Sequence, residues 1–290
     1  MGSTTRPEDG GPPAGRARAG CPGPAQSRKL AEADFHDRLR AHRLEQRWSI
    51  EAEQRLGGSP EWANFKWYSI ERKSLAHMHE MLSQRVPLKR VLDYCCGNGA
   101  EAFFLADAGA REVIGIDISE TSIENCRRQV AMGYHGVVSF AVMDAEATEF
   151  PDNHFDVIAE YGALHHLDLR RALPELARIL KPDGAVICAE VLGHNPLIQW
   201  YRRATPTLRT QWETEHILTR DHLKLAEQYF GRVETTCFHL AALAGVPFRR
   251  TAAFPAVLTV LEAIDRVLLR LPWLKWQAWM AISVLAEPRT

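Results

Sequence analysis

Residues 91–99 read Val-Leu-Asp-Tyr-Cys-Cys-Gly-Asn-Gly, and this stretch decides the fold. The short apolar run that ends in Asp93 predicts a buried strand. Gly97 and Gly99 then predict a tight turn whose backbone approaches a ligand closely. Residues 100–106, rich in Ala and Phe, predict a helix after the turn. A strand, a glycine turn and a helix in this order indicate an α/β protein with a site for a nucleotide-like ligand.

Two carboxylates indicate which kind of nucleotide-like ligand this is. Asp93 stands at the end of the first strand, and the sequence has no Lys or Arg between positions 91 and 110 to offset a bound pyrophosphate. A ligand that carries an ammonium group would be attracted instead. A second apolar run ends in Asp117, about 20 residues after Gly97, where a carboxylate accepts hydrogen bonds from the hydroxyls of a ribose. Ribose and ammonium without phosphate describe S-adenosylmethionine.

Five stretches of the chain together resemble the class I S-adenosylmethionine-dependent methyltransferases, in particular the small-molecule group that includes the quinone C-methylases. These stretches are residues 91–99, 113–117, 142–145, 155–161 and 180–184. The resemblance implies a Rossmann-like α/β fold with a doubly wound, mostly parallel, seven-stranded sheet. It also implies an enzyme that uses S-adenosyl-L-methionine as its cofactor and methylates a small molecule.

The positions that match the family's motifs give the expected cofactor site. The glycine loop and Asp93 hold the cofactor, Asp117 and Ile118 follow the second strand, and Asp144 with Ala145 contacts the adenine. The predicted cofactor-binding residues are Asp93, Gly97, Gly99, Asp117, Ile118, Asp144, Ala145 and Glu160.

The segment after the fourth strand holds the candidate for chemistry. Ligands of an open parallel sheet bind beyond the carboxyl ends of its strands, so residues 160–168 are expected near the transferred methyl group. A neutral imidazole takes up a proton near pH 7, which makes His165 the candidate general base. The alternative is that His165 and His166 only cap or pack the next helix. Neither histidine has metal-ligand spacing or nearby partners in the sequence, and no metal is predicted.

The flanking segments are expected to cover this site. Residues 1–28, rich in Gly, Pro, Ala and Arg, predict a disordered tail. Residues 29–87 predict an N-terminal helical lid, in which Trp67 or Tyr68 faces the ligand. Residues 88–290 form the methyltransferase domain.

An insertion between strands five and six, at residues 191–231, is expected to lie over the acceptor pocket. The alternative is a surface flap on which Arg202, Arg203 and Arg209 form a solvated face. The aromatic and apolar residues of the lid and the insertion favour an apolar or aromatic acceptor, such as a natural product or a quinone- or lipid-like molecule.

Composition limits the partners and the location. A formal net charge of −1 and a pI near 6.9 provide no basic field for nucleic acid, and a polyanionic substrate is disfavoured. The Asn-Pro-Pro-Tyr motif of nucleic-acid methyltransferases is absent after strand four, where residues 160–163 read Glu-Tyr-Gly-Ala. The six cysteines show no metal-ligand spacing, and the chain has no secretory signal, so we expect a cytoplasmic protein with reduced thiols.

Three questions stay open at the level of sequence. The chain could be a non-catalytic S-adenosylmethionine-binding protein or, with less support, a nicotinamide-dependent oxidoreductase. The amphipathic helix predicted at residues 254–271 fits packing onto its own domain, and it also fits a weak peripheral membrane contact. The oligomeric state is not indicated.

Overall fold

The computed structural model describes residues 23–41, 47–56, 62–131, 133–134 and 136–289, and in these ranges seven strands form one sheet. The strands are β1 (Arg90–Tyr94), β2 (Glu112–Asp117), β3 (Val138–Val142), β4 (Phe155–Tyr161), β5 (Leu180–Val191), β6 (Phe230–Phe238) and β7 (Met280–Pro288). Their order in the sheet is β3-β2-β1-β4-β5-β7-β6. Strands β1 to β5 run parallel, and β7 runs antiparallel to both β5 and β6. The predicted doubly wound, mostly parallel, seven-stranded sheet is therefore confirmed.

Ten α-helices accompany the sheet in the described part of the chain. They are α1 (Pro24–Ala41), α2 (Ile50–Arg55), α3 (Arg72–Arg85), α4 (Ala100–Asp107), α5 (Glu120–Val130), α6 (Leu169–Ile179), α7 (Pro196–Ala204), α8 (Gln211–Glu215), α9 (Arg220–Ala226) and α10 (Phe254–Leu268). Among the described residues, none of these helices combines the length and the apolar character needed to cross a membrane.

The sheet is buried on both faces because its side chains alternate between two apolar cores. In β1, Val91 belongs to the core beneath α3, α4 and α5, whereas Leu92 and Tyr94 belong to the core beneath α6 and α9. All three side chains are fully buried. This burial fixes β1 at the centre of the sheet and places its carboxyl end, with the glycine loop, beside β4.

The order of the strands locates the site. The chain leaves β1 toward β2 on one side, whereas β4 lies on the other side of β1. A crevice opens at such a switch point, outside the carboxyl ends of the strands. The loops that follow β1, β2, β3 and β4 therefore surround one crevice.

The expected disordered tail at residues 1–28 ends earlier than the composition indicated. Helix α1 begins at Pro24, where proline fits the first turn of a helix because its missing N–H has no helical partner there. Tertiary contacts of Arg28 and Lys29, described below, hold this end of α1 on the domain. The rest of the predicted tail, residues 1–22, lies outside the described residues.

Candidate active site

The glycine loop after β1 has the left-handed backbone that its sequence predicts. Gly97 has φ 50° and Gly99 has φ 81°. A Cβ atom on Gly99 would lie 3.0 Å from Phe140 Cζ and 3.1 Å from Cys126 Sγ, so the position is crowded as well as left-handed. The Gly97 amide donates a 2.8 Å hydrogen bond to Asp117 Oδ2, which ties the loop to the end of β2.

Asp93 contacts the backbone at the start of α4. Its carboxylate is buried and accepts a 2.8 Å hydrogen bond from the backbone N–H of Ala102, in the first turn of α4. Burial and the charge of Glu101 raise the pKa of Asp93. Neither Asp93 nor Gly99 is among the described residues that line the crevice. In the described structure this carboxylate fixes the start of α4, and its contact with a cofactor stays a prediction.

The crevice itself is a cavity of about 90 Å³. The predicted residues Gly97, Asp117, Ile118, Asp144 and Ala145 all line it. Asp117 Oδ1 accepts a 2.8 Å hydrogen bond from the Ser119 amide, so both oxygens of this carboxylate have a backbone partner. The ends of β2 and β3 are therefore joined to the glycine loop around one cavity.

Helix α1 brings cations into this crevice. Lys29 Nζ lies 2.5 Å from Asp144 Oδ2 and 2.9 Å from Glu146 Oε2. Arg28 pairs with Glu146 and donates a 2.9 Å hydrogen bond to the carbonyl oxygen of His166. The Arg40 Nη2 atom lies 3.2 Å from where a Cβ on Gly97 would be. These cations reach the loop from a distant part of the sequence, whereas residues 91–110 themselves contain no Lys or Arg.

A second, larger cavity of about 590 Å³ adjoins the crevice. The two cavities share His36, Arg40, Tyr161, Gly162 and His166 as lining residues. Aromatic and aliphatic side chains form most of the larger cavity's wall. They include Phe35, Trp62, Phe65, Trp67, Tyr68, Leu197, Ile198, Tyr201, Leu243 and Trp279.

The wall of the larger cavity comes from both segments that were expected to cover the site. Trp67 and Tyr68 precede α3, and both line the cavity. Helices α7 and α8 lie between β5 and β6 and contribute Ile198 and Glu213, among others.

His165 is buried and lines the larger cavity. Its Nδ1 atom lies 2.7 Å from Glu190 Oε2, and its Nε2 atom lies 4.0 Å from Glu213 Oε1. Glu190 also accepts a 2.5 Å hydrogen bond from the Leu164 amide. Burial opposes ionisation of Glu190, but the charge and hydrogen bond of His165 outweigh it and lower the Glu190 pKa. When Nδ1–H donates to Glu190, Nε2 is the ring nitrogen that lies toward Glu213.

Glu160 also contacts backbone amides. It is fully buried and accepts hydrogen bonds from the backbone amides of Ala163 and Leu164. Burial and the neighbouring charge of Glu190 raise the Glu160 pKa well above its usual value. Glu160 does not line the crevice within the described structure. Glu160 thus shapes the turn that carries His165, and its cofactor contact stays a prediction.

His166 and His36 have a carboxylate partner that the sequence did not reveal. His166 Nδ1 lies 3.0 Å from Glu32 Oε2, and His36 Nε2 lies 3.8 Å from the same oxygen. Burial opposes the charged form of His166, but the Glu32 hydrogen bond and nearby carboxylates outweigh it and raise the His166 pKa. Among the described residues, two triads have the ligand atoms to hold a metal ion. One is Glu32, His36 and His166, and the other is His165, His166 and Glu213. Within each triad these atoms lie within 4.8 Å of one another.

Arg202, Arg203 and Arg209 do not form the single solvated face offered as the alternative. Arg203 is exposed, but Arg202 and Arg209 are 6% and 9% exposed and line the larger cavity. Helical spacing did not distinguish the buried arginines from the exposed one, because Arg209 lies outside α7, in the turn between α7 and α8.

Comparison with known proteins shows which proteins the chain resembles. A family model described as a methyltransferase domain matches residues 91–184. A demethylmenaquinone methyltransferase of Symbiobacterium thermophilum is 34% identical over 131 residues, which are 43% of this chain and 49% of that protein. A 27-O-demethylrifamycin SV methyltransferase of Amycolatopsis mediterranei is 32% identical over 125 residues, 41% of this chain and 46% of that protein. The chain thus spans about half the length of the curated relatives it matches.

Solved structures agree at the level of the fold. A phosphoethanolamine N-methyltransferase of Haemonchus contortus has a TM-score of 0.56 and 16% identity, and the match covers 83% of this chain and 61% of that one. The residues that the family model matches, 91–184, begin in β1 and end at Gly184 in β5, so they contain the whole glycine loop. Residues 91–184 are therefore similar to a methyltransferase domain.

Proposed function

We propose that this protein transfers a methyl group from S-adenosylmethionine to an apolar or aromatic small molecule, such as a natural product or a quinone- or lipid-like acceptor. One observation carries the proposal: the crevice at the glycine loop opens beside a larger cavity whose wall is mostly aromatic and aliphatic, and the two share Tyr161 and Gly162. A cofactor in the crevice would meet an acceptor in the cavity at this shared edge. The similarity to quinone and rifamycin methyltransferases supports an acceptor of this kind.

The residues of the crevice fit the cofactor. Asp117 would accept from the ribose hydroxyls, Asp144 and Ala145 would contact the adenine, and Arg40 would face the amino-acid carboxylate beside Gly97. Asp93 would act indirectly, through its hold on α4. When bound, the cofactor supplies a methyl group that its sulfonium already activates.

The chain's own task is then to position the acceptor and exclude water. The aromatic wall of the larger cavity would orient the acceptor against the shared edge. Where the acceptor must lose a proton, His165 Nε2 would accept it, while Glu190 holds the ring through Nδ1. Glu190 is a positioning residue in this scheme.

We infer that residues 29–87 act as a lid and residues 191–231 as a substrate cap on the domain at 88–290. Lys29 supports the lid assignment, because its ammonium group pairs with the Asp144 oxygen that would contact the adenine. A cavity of about 90 Å³ is also small for a nucleoside, so α1 would shift outward when the cofactor enters.

We further propose a weak membrane contact through α10. Its acidic residues turn inward: Glu262 pairs with Arg72 at 2.6 Å, and Asp265 accepts from the amides of residues 240–242. Its outer side carries apolar side chains such as Val267, which is 64% exposed. Trp273, which follows α10 in the chain, is 70% exposed. Arg266 and Arg270 are exposed beside them. An apolar stripe flanked by cations suits an anionic lipid surface, which would also hold a lipid-like acceptor.

We propose a cytoplasmic location, in keeping with five described cysteines that are free thiols. We also propose that the acceptor is not a nucleic acid, since the larger cavity's wall is aromatic and aliphatic rather than basic along an open groove.

The proposal is tested by incubating the protein with S-adenosylmethionine and a panel of quinols, phenols and hydroxylated polyketides. Mass spectrometry should find a product heavier by one CH₂ unit, together with S-adenosylhomocysteine. A protein that binds the cofactor but methylates no member of the panel would favour the non-catalytic alternative.

A further inference from the structure

The larger cavity combines an aromatic wall with two buried guanidinium groups at one end. We propose that the acceptor carries an anionic group, a carboxylate or a phosphate monoester, which binds to Arg202 and Arg209 while its apolar body lies against the aromatic wall. This inference rests on the function proposed above and narrows its substrate class.

The two arginines are poorly neutralised by their surroundings. Their common carboxylate partner is Glu213: Arg202 Nη1 and Arg209 Nε lie 3.3 Å and 3.4 Å from the same oxygen, Oε1. Two buried positive charges thus share one carboxylate. A buried charge without a full counter-charge is costly, so proteins keep such groups mainly where a ligand completes the pairing.

The hydrogen bonds of the two guanidinium groups are also incomplete. Arg202 Nη2 donates to the Glu213 carbonyl oxygen at 2.7 Å. Arg209 Nη1 donates to the carbonyl oxygen and the hydroxyl of Thr205 at 2.9 Å and 3.0 Å, and Arg209 Nη2 donates to Asn64 Oδ1 at 3.3 Å. The Nε atoms of both arginines are buried and make no hydrogen bond to any described residue. Arg209 Nε approaches Glu213, but without the geometry of a hydrogen bond. The two Nε donors stay unpaired, and guanidinium groups bind carboxylates and phosphates through paired N–H groups once the side chains turn toward the ligand.

The rest of the wall does not supply the missing negative charge. Among the described residues that line the larger cavity, the cations are Arg40, Arg202 and Arg209, and the acidic residue is Glu213. Glu190 lies close by, but it already accepts from His165 and the Leu164 amide. An anion is therefore favoured at this end of the cavity and a cation is disfavoured.

The location of the arginines gives the anion a role in orientation. His165 Nε2 lies 4.0 Å from Glu213 Oε1, so the arginine cluster stands beside the candidate base. Tyr161 and Gly162, at the shared edge with the crevice, also line the cavity. An acceptor held by its anionic group at Arg202 and Arg209 would be fixed in direction, and its reacting atom would be set toward that edge.

The test compares four probes with the same apolar chain and different head groups: octanoate, octyl phosphate, octan-1-ol and octylammonium. Their binding to the full chain is measured by calorimetry and by quenching of tryptophan fluorescence, since Trp67 and Trp279 line the cavity. Octanoate or octyl phosphate should bind about tenfold or more tightly than octan-1-ol, and octylammonium should bind most weakly. The stronger of the two anions distinguishes a carboxylate from a phosphate acceptor. Equal binding of all four probes would overturn the proposal.

Variants connect the preference to the two arginines. Arg209→Gln should remove most of the advantage of the anion over octan-1-ol, whereas Arg209→Lys should keep part of it. Arg203→Gln removes a charge from the exposed neighbour of Arg202 on α7 and is the matched control, which should behave as the wild type. A preference that persists in Arg209→Gln and in Arg202→Gln would contradict the assignment.

Binding of S-adenosylmethionine to each variant reports separately on the crevice. A variant that binds the cofactor normally and loses the anion preference is folded, so its result counts for the arginine site. If the wild type prefers the anion but binds no cofactor, the anion site stands and the methyl-transfer proposal fails.

Discussion

Gly99 and Gly109 have the same left-handed backbone in different surroundings, with φ of 81° and 89°. A Cβ on Gly99 would meet three side chains at 3.0–3.1 Å, whereas one on Gly109 would have nothing within 4 Å. Gly109→Ala should cost about 1–2 kcal/mol from backbone strain alone. Gly99→Ala should cost at least about 1 kcal/mol more, because packing must also give way. Urea unfolding measures both, and equal losses would contradict the crowding at Gly99.

His165 gives a second prediction for single residues. With a hydroxyl acceptor, His165→Gln should lower kcat by about 10²–10⁴ because the proton acceptor is lost. Cofactor binding should stay unchanged. Glu190→Gln should lower kcat less and should shift the pH profile, because the ring loses its ionised partner. His216→Gln, whose ring stacks on Trp212 away from the larger cavity, is the control. Unchanged turnover in His165→Gln would leave this histidine with a structural role only.

The sequence predicted the residues of the crevice that local spacing determines. Gly97, Asp117 and Asp144 follow strand ends and line the cavity as expected. Asp93 and Glu160 also stand at strand ends, but each accepts from a nearby backbone amide. A carboxylate at a strand end can serve a ligand or a free amide, and sequence alone does not distinguish these two roles.

At the scale of elements, the docking of α1 should depend on pH. The His166 pKa is raised above its usual value of 6.5, with Glu32 of α1 as the main favourable partner. The stabilisation from this ion pair is therefore complete below about pH 6.5, and it is lost as pH rises through the folded-state pKa. His36 has a pKa well below 6.5 and stays neutral in this range.

Hydrogen exchange measures this effect directly. Amides of α1, corrected for the intrinsic pH dependence of exchange, should be less protected at pH 8.5 than at pH 6. His166→Gln should remove the difference while amides of α4 serve as the internal reference. Equal protection of α1 at both pH values in the wild type would show that the His166–Glu32 pair does not hold the helix.

The exposed stripe on α10 makes a prediction of its own. The protein should sediment with vesicles that contain phosphatidylserine and much less with pure phosphatidylcholine vesicles, because Arg266 and Arg270 flank the apolar side chains. Val267→Asp should reduce the bound fraction. Leu88→Asp is the control, since Leu88 is an exposed apolar residue outside α10. Equal loss in both variants, or no binding to either vesicle, would contradict a membrane role for α10.

At the scale of the whole molecule, the sheet and the segments that cover the site could be predicted, but the contacts of the covering segments could not. The matched residues 91–184 run from β1 into β5, and each of these five strands carries its own apolar run. Helix α1 is heavily charged and contacts residues such as Asp144 and Glu146 more than 100 positions away. No local pattern encodes such contacts. The buried state of Arg202 and Arg209 was missed for the same reason.

The central claim is that S-adenosylmethionine binds in the crevice between the glycine loop, Asp117 and Asp144. Calorimetric titration of the full chain with S-adenosylmethionine and, separately, with NADH tests it most directly. We expect one site for S-adenosylmethionine, no binding of NADH, marked weakening in Asp117→Ala, and unchanged affinity in His165→Gln. Binding of NADH instead, or equal affinity of Asp117→Ala and the wild type, would contradict this account of the site.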